Sequence, residues 1–176
     1  MKNFLFLLSF LIVISCQSKK SQDKKRVPKA QMSIVNKHKS IATLDVVSKK
    51  GIRSWKEYEA LEEFLQKFSA ISANEVINNA VDLSQLVKEL RNSVRPKELL
   101  GHSFRARINV LHSEALRLKD MTLIPAITAK EVHQQIDKII DAFAATSSKI
   151  NAVYHQIEIK KEINIDDKIL LNTEND

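Results

Sequence analysis

From Ser54 onward, apolar residues recur at alternating steps of three and four, the spacing that lines one face of an α-helix. The first run reads Tyr58, Leu61, Leu65, Phe68, and the second Val76, Ala80, Leu83, Val87, Leu90, Val94. The third reads Phe104, Ile108, Leu111, Ala115, Leu118. The fourth reads Val132, Ile136, Ile139, Phe143, Thr146, Ile150, Val153, Ile157. The last three runs keep the rhythm of a heptad seam, which predicts coiled-coil-like packing. The predicted fold class is all-α, an antiparallel up-down bundle of three to four helices joined by short loops.

Polar punctuation supports these boundaries. Ser54 with Glu57, Ser72 with Glu75 and Thr128 with Glu131 each have the capping-box form, in which hydroxyl and carboxylate satisfy orphan N–H groups reciprocally. Pro96 ends the second helix, because the residue before a proline is pushed out of the α region. Pro125 falls near the start of the fourth, where a missing N–H costs nothing.

The lengths do not match. Helices two and three come to about 23 residues each, roughly 35 Å, whereas helix four, about 126–160, comes nearer 50 Å. Its seam residues Ile150, Val153 and Ile157 should overhang, and helix one is too short to reach them. Met32–Ile52, which carries Ile34, Val35, Ile41, Leu44, Val46 and Val47, is expected to cover the overhang. The organisation read from the chain is a signal peptide over 1–15, a lipidated basic tether over 16–30 and an apolar lead-in over 31–52. The helical body spans 53–160, and a polar, frayed tail spans 161–176.

Composition narrows the field further. With 2 Gly and 3 Pro in 176 residues, tight turns are scarce, which excludes β-sandwiches, hairpin-rich folds and phosphate-cradling glycine loops. One Cys excludes an intramolecular disulfide, a cysteine-rich zinc knuckle and a haem attachment pair.

That cysteine follows a processing signal. Lys2 is the positive start, and Phe4 to Ile14 is an apolar run too short for a membrane span, which takes about 20 residues. Val13, Ser15 and Cys16 then stand at the aliphatic, small and cysteine positions of a lipobox. Here the sequence resembles a bacterial lipoprotein precursor. The resemblance implies a diacylglyceryl thioether on Cys16 and acylation of its freed amine, as with palmitate. Two or three chains make anchoring effectively permanent. By the same resemblance an aspartate after the cysteine would mark inner-membrane retention; Gln17 stands there, and 17–29 is basic. The implied address is the outer membrane, facing the periplasm. Most of 52–158, including Trp55–Leu61 and Phe104–Met121, also resembles uncharacterised flavobacterial lipoproteins, which implies fold and address but no activity.

The net charge of +7 belongs to one segment. Residues 17–50 hold Lys19, Lys20, Lys24, Lys25, Arg26, Lys29, Lys37, Lys39, Lys49 and Lys50 against Asp23 and Asp45, while 51–176 is nearly balanced. Residues 17–30 read as a disordered tether whose cations lie against anionic headgroups or lift the domain off the membrane. The folded part has no basic stripe with interleaved aromatics, so nucleic acid is not an expected partner.

Catalytic constellations are missing. No Gly-x-Ser-x-Gly elbow occurs, the one thiol is assigned to lipid, and no Glu-x-x-His pair marks a di-iron bundle. The chain reads as a non-enzyme with no cofactor. His112 and His133 both fall at e positions of facing seams at similar height, with Asp137 one turn beyond and Glu114 nearby. A zinc or copper site, or a pH-sensitive contact, can be drawn from these, although two half-exposed histidines flanking a seam is the plainer reading. Trp55, Tyr58, Phe64 and Phe68 read as core, Arg105 and Arg107 as partners for acids, and Asn78 and Asn79 as register-setting groups. The expected function is an interaction or structural module in the cell envelope, anchored by lipid and meeting a protein or the cell wall. The alternative is a periplasmic bundle that senses a small ligand or metal.

Overall fold

The apolar runs become helices whose buried faces share one core. A computed structural model describes the backbone of residues 29–173 and the side-chain surroundings of residues 31–163. Within it lie α1 (Val46–Gly51), α2 (Lys56–Gln66), α3 (Ala73–Asn92), α4 (His102–Met121) and α5 (Ala129–Thr173). Strands β1 (Val35–Lys37) and β2 (Ala70–Ser72) pair antiparallel, with Val35 opposite Ser72 and Lys37 opposite Ala70. Short 3₁₀ turns fill Lys29–Ser33, Lys67–Ser69 and Lys97–Leu99. The chain is mostly helical, as the sequence predicts, and the small sheet is an addition that its pattern does not announce.

Helices α3, α4 and α5 pack on one another, α2 lies against α3, and α1 lies against α5. Tyr58, Leu61, Leu65, Phe68, Val87, Leu90, Ile108, Leu111, Leu118, Ile136, Ile139 and Phe143 are all buried in one cluster, so the 3–4 pattern locates the core correctly. The Tyr58 ring stacks on Phe143 with centroids 5.4 Å apart, tying α2 to α5. Val94 departs from its run. Asn92 closes α3, and Val94 beyond it is 95% exposed. The Ser93 hydroxyl instead accepts from Trp55 Nε1 at 2.6 Å and donates to the Leu90 carbonyl at 2.9 Å. That pair of bonds, with Pro96 just beyond, takes the chain out of the helix before the seam reaches Val94.

Two of the three capping boxes form. Ser72 Oγ accepts from the Glu75 N–H and Glu75 accepts from the Ser72 N–H, and Thr128 with Glu131 repeats the arrangement. Ser54 with Glu57 does not form a box. Trp55 takes the N-cap position of α2 without a side-chain bond, because its indole is drawn into the core toward Ser93. Pro125 lies in the exposed turn ahead of α5, which starts at Ala129.

Helix α5 runs for 45 residues, about 67 Å. It passes the end expected near 160 and takes in most of the stretch expected to fray. The segment 34–52 wraps along it as a strap, contributing buried Ile41, Leu44 and Ile52. Asp45 caps α1 through the Ser48 N–H at 2.7 Å, and its other carboxylate oxygen accepts from His155 Nε2 of α5 at 2.8 Å. Of the expected overhang Ile150 is fully buried and Val153 and Ile157 are half-buried against the core, and buried Tyr154 adds a bond to the strap.

Candidate functional site

On α5, His133, Asp137 and Asp141 recur every four residues and so line one stripe beside the seam. The strap lies over this stripe. His38 Nδ1 is 2.7 Å from Asp137 Oδ1, and His38 Nε2 is 3.1 Å from His133 Nδ1. One residue on, Lys39 Nζ donates to Asp141 at 2.6 Å. On the other side the His38 backbone N–H donates to the Ser69 carbonyl at 2.9 Å, next to β2. His38 therefore sits where strap, sheet and α5 meet.

Chemistry assigns the hydrogens. A carboxylate can only accept, so His38 Nδ1 carries the hydrogen toward Asp137. In the neutral pair His38 Nε2 is then bare and accepts from Nδ1–H of His133. His133 Nε2 is left without a hydrogen, buried and without a hydrogen-bond partner. A bare nitrogen tolerates that position better than an N–H, which would have no acceptor. Burial pushes the His133 pKa below the usual histidine value; the adjacent His38 ring adds to this and Asp137 opposes it.

This site differs from the one expected. His133 and Asp137 take part, but their companion is His38 rather than His112. His112 has a buried Nε2 with no partner, and its pKa is lowered by burial and then by Arg91 and Lys88 of α3, the helix it faces. Glu114 is taken up by Gln135, whose side-chain amide donates to both the Glu114 carbonyl and its carboxylate at 2.9 and 2.8 Å. At this level α4 and α5 thus meet through Glu114 and Gln135, which precede the seam residues Ala115 and Ile136, and not through the e-position histidines. No known protein family, curated protein or solved structure matches this chain.

As a metal site the histidine pair is poorly arranged. Both ring nitrogens of His38 are committed to protein partners, and among the described residues no group of three or more His, Cys, Asp or Glu could hold an ion. The arrangement instead suits holding and exchanging a proton. Cys16 lies outside the described residues.

The remaining candidates are distributed over the surface and core. Trp55, Tyr58 and Phe68 are buried and Phe64 half-buried. Arg107 donates to the Ser103 carbonyl and hydroxyl rather than to an acid, and Arg105 is exposed. Asn78 is exposed and Asn79 bonds back to the Glu75 carbonyl, so neither sets register.

Two grooves open on the outside. One, of about 460 Å³, runs between the strap and α2, lined by Leu44, Lys49, Ile52, Trp55, Tyr58 and Glu62. Glu62 Oε1 is buried there without a partner, and burial raises its pKa, with Lys49 opposing and Glu59 adding. The other, of about 300 Å³, lies between α4 and α5 and is lined by Ala106, Arg107, Val110, Ala142 and Ala145. Val110 is 54% exposed although it is a large apolar residue. No helix among the described residues is long and apolar enough to cross a membrane.

Proposed function

We propose that this chain is a lipid-anchored envelope protein whose helices form an up-down heptad bundle serving as a non-enzymatic interaction module. The observation that carries the reading is the α4–α5 groove. Its floor of Ala106, Ala142 and Ala145 lets another backbone come close, and exposed Val110 gives that helix an apolar edge. Helix-in-groove recognition needs only such an apolar track and no catalytic group. The core supports the same reading, being one continuous apolar cluster from Ile41 to Tyr154. The lipobox residues Val13, Ser15 and Cys16 supply the anchor, and the basic stretch after them supplies contact with anionic headgroups. The address that follows is the outer membrane, facing the periplasm.

The test has two arms. Cys16→Ala should move the protein from the membrane fraction to the soluble fraction; unchanged partitioning and mobility contradict lipidation. Val110→Glu should leave the melting temperature near wild type while removing the partner that co-purifies with the wild-type chain. Identical co-purification from both contradicts a role for this groove.

A ligand-binding reading draws on the strap–α2 groove, where buried Trp55 and Tyr58 form an aromatic floor beside the unpartnered Glu62 oxygen. Ligand-induced thermal stabilisation that is lost in Glu62→Gln and kept in Val110→Glu would favour it.

A further inference from the structure

The strap is held to α5 by a contact that a proton can break. The His38 side chain is 3% exposed, and both of its nitrogens are engaged, with Asp137 on one side and His133 on the other. A single hydrogen serves the nitrogen–nitrogen contact. We propose that Asp137, His38 and His133 form a proton-operated clasp, which holds the strap on α5 at neutral pH and releases it when both rings are protonated.

The proton inventory gives the reason. The first added proton has no good location. Placed on His133 Nε2, it enters a buried position with no acceptor. Placed on His38 Nε2, it reverses the contact, and neutral His133 must then carry its own hydrogen on that same Nε2. A second proton leaves N–H facing N–H across 3.1 Å, between two cations, where no hydrogen bond can exist. Added protons therefore favour the opened contact over the closed one.

The surrounding charges do not rescue the closed state. On α5, Asp137 offsets one positive charge and is already 45% exposed. Asp141 is occupied by Lys39 of the strap. From the β2 side His38 meets the uncharged Ser69 carbonyl, and Lys67 in the adjoining turn has its ammonium over the Phe64 ring, 4.6 Å from the centroid. Burial lowers the His133 pKa first, His38 adds to this, and Asp137 opposes it. A histidine depressed in the folded state contributes fully above its ordinary value of 6.5, and the contribution is lost as the pH falls from there to the lowered value. Acidification thus loosens the strap, the segment through which the chain preceding residue 29 joins the helices. The clasp stands independently of the interaction-module reading.

Hydrogen exchange on the full chain between about pH 7.5 and 5, corrected for the intrinsic rate, tests this. Protection at the amides of residues 35–40 should fall about tenfold or more across the histidine range, while the seam amides of α3 and α4 hold theirs. His133→Asn keeps a side-chain N–H near the Nδ1 position and cannot titrate. It should match wild type at neutral pH and lose less than about threefold on acidification. Flat protection in wild type, equal loss throughout α3 and α4, or a full-sized loss in His133→Asn each overturns the clasp. If His133→Asn does not fold, the imidazole proton resonances of the wild-type chain decide. Both rings titrating in step with the strap amides supports the clasp, and rings titrating without them overturns it.

Discussion

Tyr154 lays its ring against the α-carbon of Gly51 and donates its hydroxyl to the Gly51 carbonyl oxygen at 3.1 Å. A β-carbon at residue 51 would come within 2.6 Å of three carbons of that ring, so the end of α1 closes on α5 only because the residue is glycine. Gly51→Ala should cost about 1–3 kcal/mol, the usual penalty for overpacking. Gly101, the N-cap of α4, has nothing within 4 Å of the same position. Gly101→Ser should hold or gain a few tenths of a kcal/mol through a side-chain cap. Urea midpoints measure both, and a Gly51→Ala midpoint equal to wild type contradicts the contact.

Tyr58 and Ser147 share a second relationship, and it is directional. Ser147 Oγ donates to the Phe143 carbonyl at 3.0 Å, so the Tyr58 hydroxyl is the donor in the 2.7 Å contact between the two side chains. Burial also pushes the Tyr58 pKa up, with the Ser147 bond opposing and Glu62 adding, which keeps the phenol protonated. Tyr58→Phe removes the donor and leaves Ser147 bonded, at a cost of about 0.5–1.5 kcal/mol. Ser147→Ala strands a buried phenol hydroxyl and should cost about 1–3 kcal/mol. Equilibrium denaturation orders the two, and a larger loss from Tyr58→Phe contradicts the assigned direction.

The capping boxes give a third expectation. Ser72→Ala and Thr128→Ala should each cost about 1 kcal/mol, whereas Ser54→Ala should fall within about 0.5 kcal/mol of wild type. The Glu75 and Glu131 carboxyls sit below their ordinary value because the cap hydroxyl and N–H donate to them. That stabilisation is present above the ordinary value of 4.5 and is lost as the pH falls through the lowered one. The Ser72→Ala penalty should therefore narrow in acid. Equal losses from all three alanine variants would contradict the observed caps.

What the sequence discloses is local. The 3–4 rhythm identifies the buried faces of all four runs because helical periodicity repeats within a few residues. It fails at Val94, because the helix ends just before it, at Ser93, whose hydroxyl accepts from Trp55, 38 residues earlier. Leu90→Ala should then cost about 2–5 kcal/mol, while Val94→Thr should change stability by less than about 0.5 kcal/mol. His38 was equally out of reach, since its partners lie 95 and 99 residues downstream and no periodicity links them. The one visible sign was the polar stripe of His133, Asp137 and Asp141 on α5, which asks for basic groups above it. The pairing of β1 with β2 was hidden for the same reason, each strand being only three residues long.

Photo-crosslinking in intact cells shows whether the helices present a surface to a partner. A photoreactive side chain replaces Val110 in the α4–α5 groove, and a second, separate chain carries it in place of exposed Lys88 on α3. A discrete adduct is expected from residue 110 and none from residue 88. No adduct from residue 110, or the same adducts from both positions, would contradict such a surface.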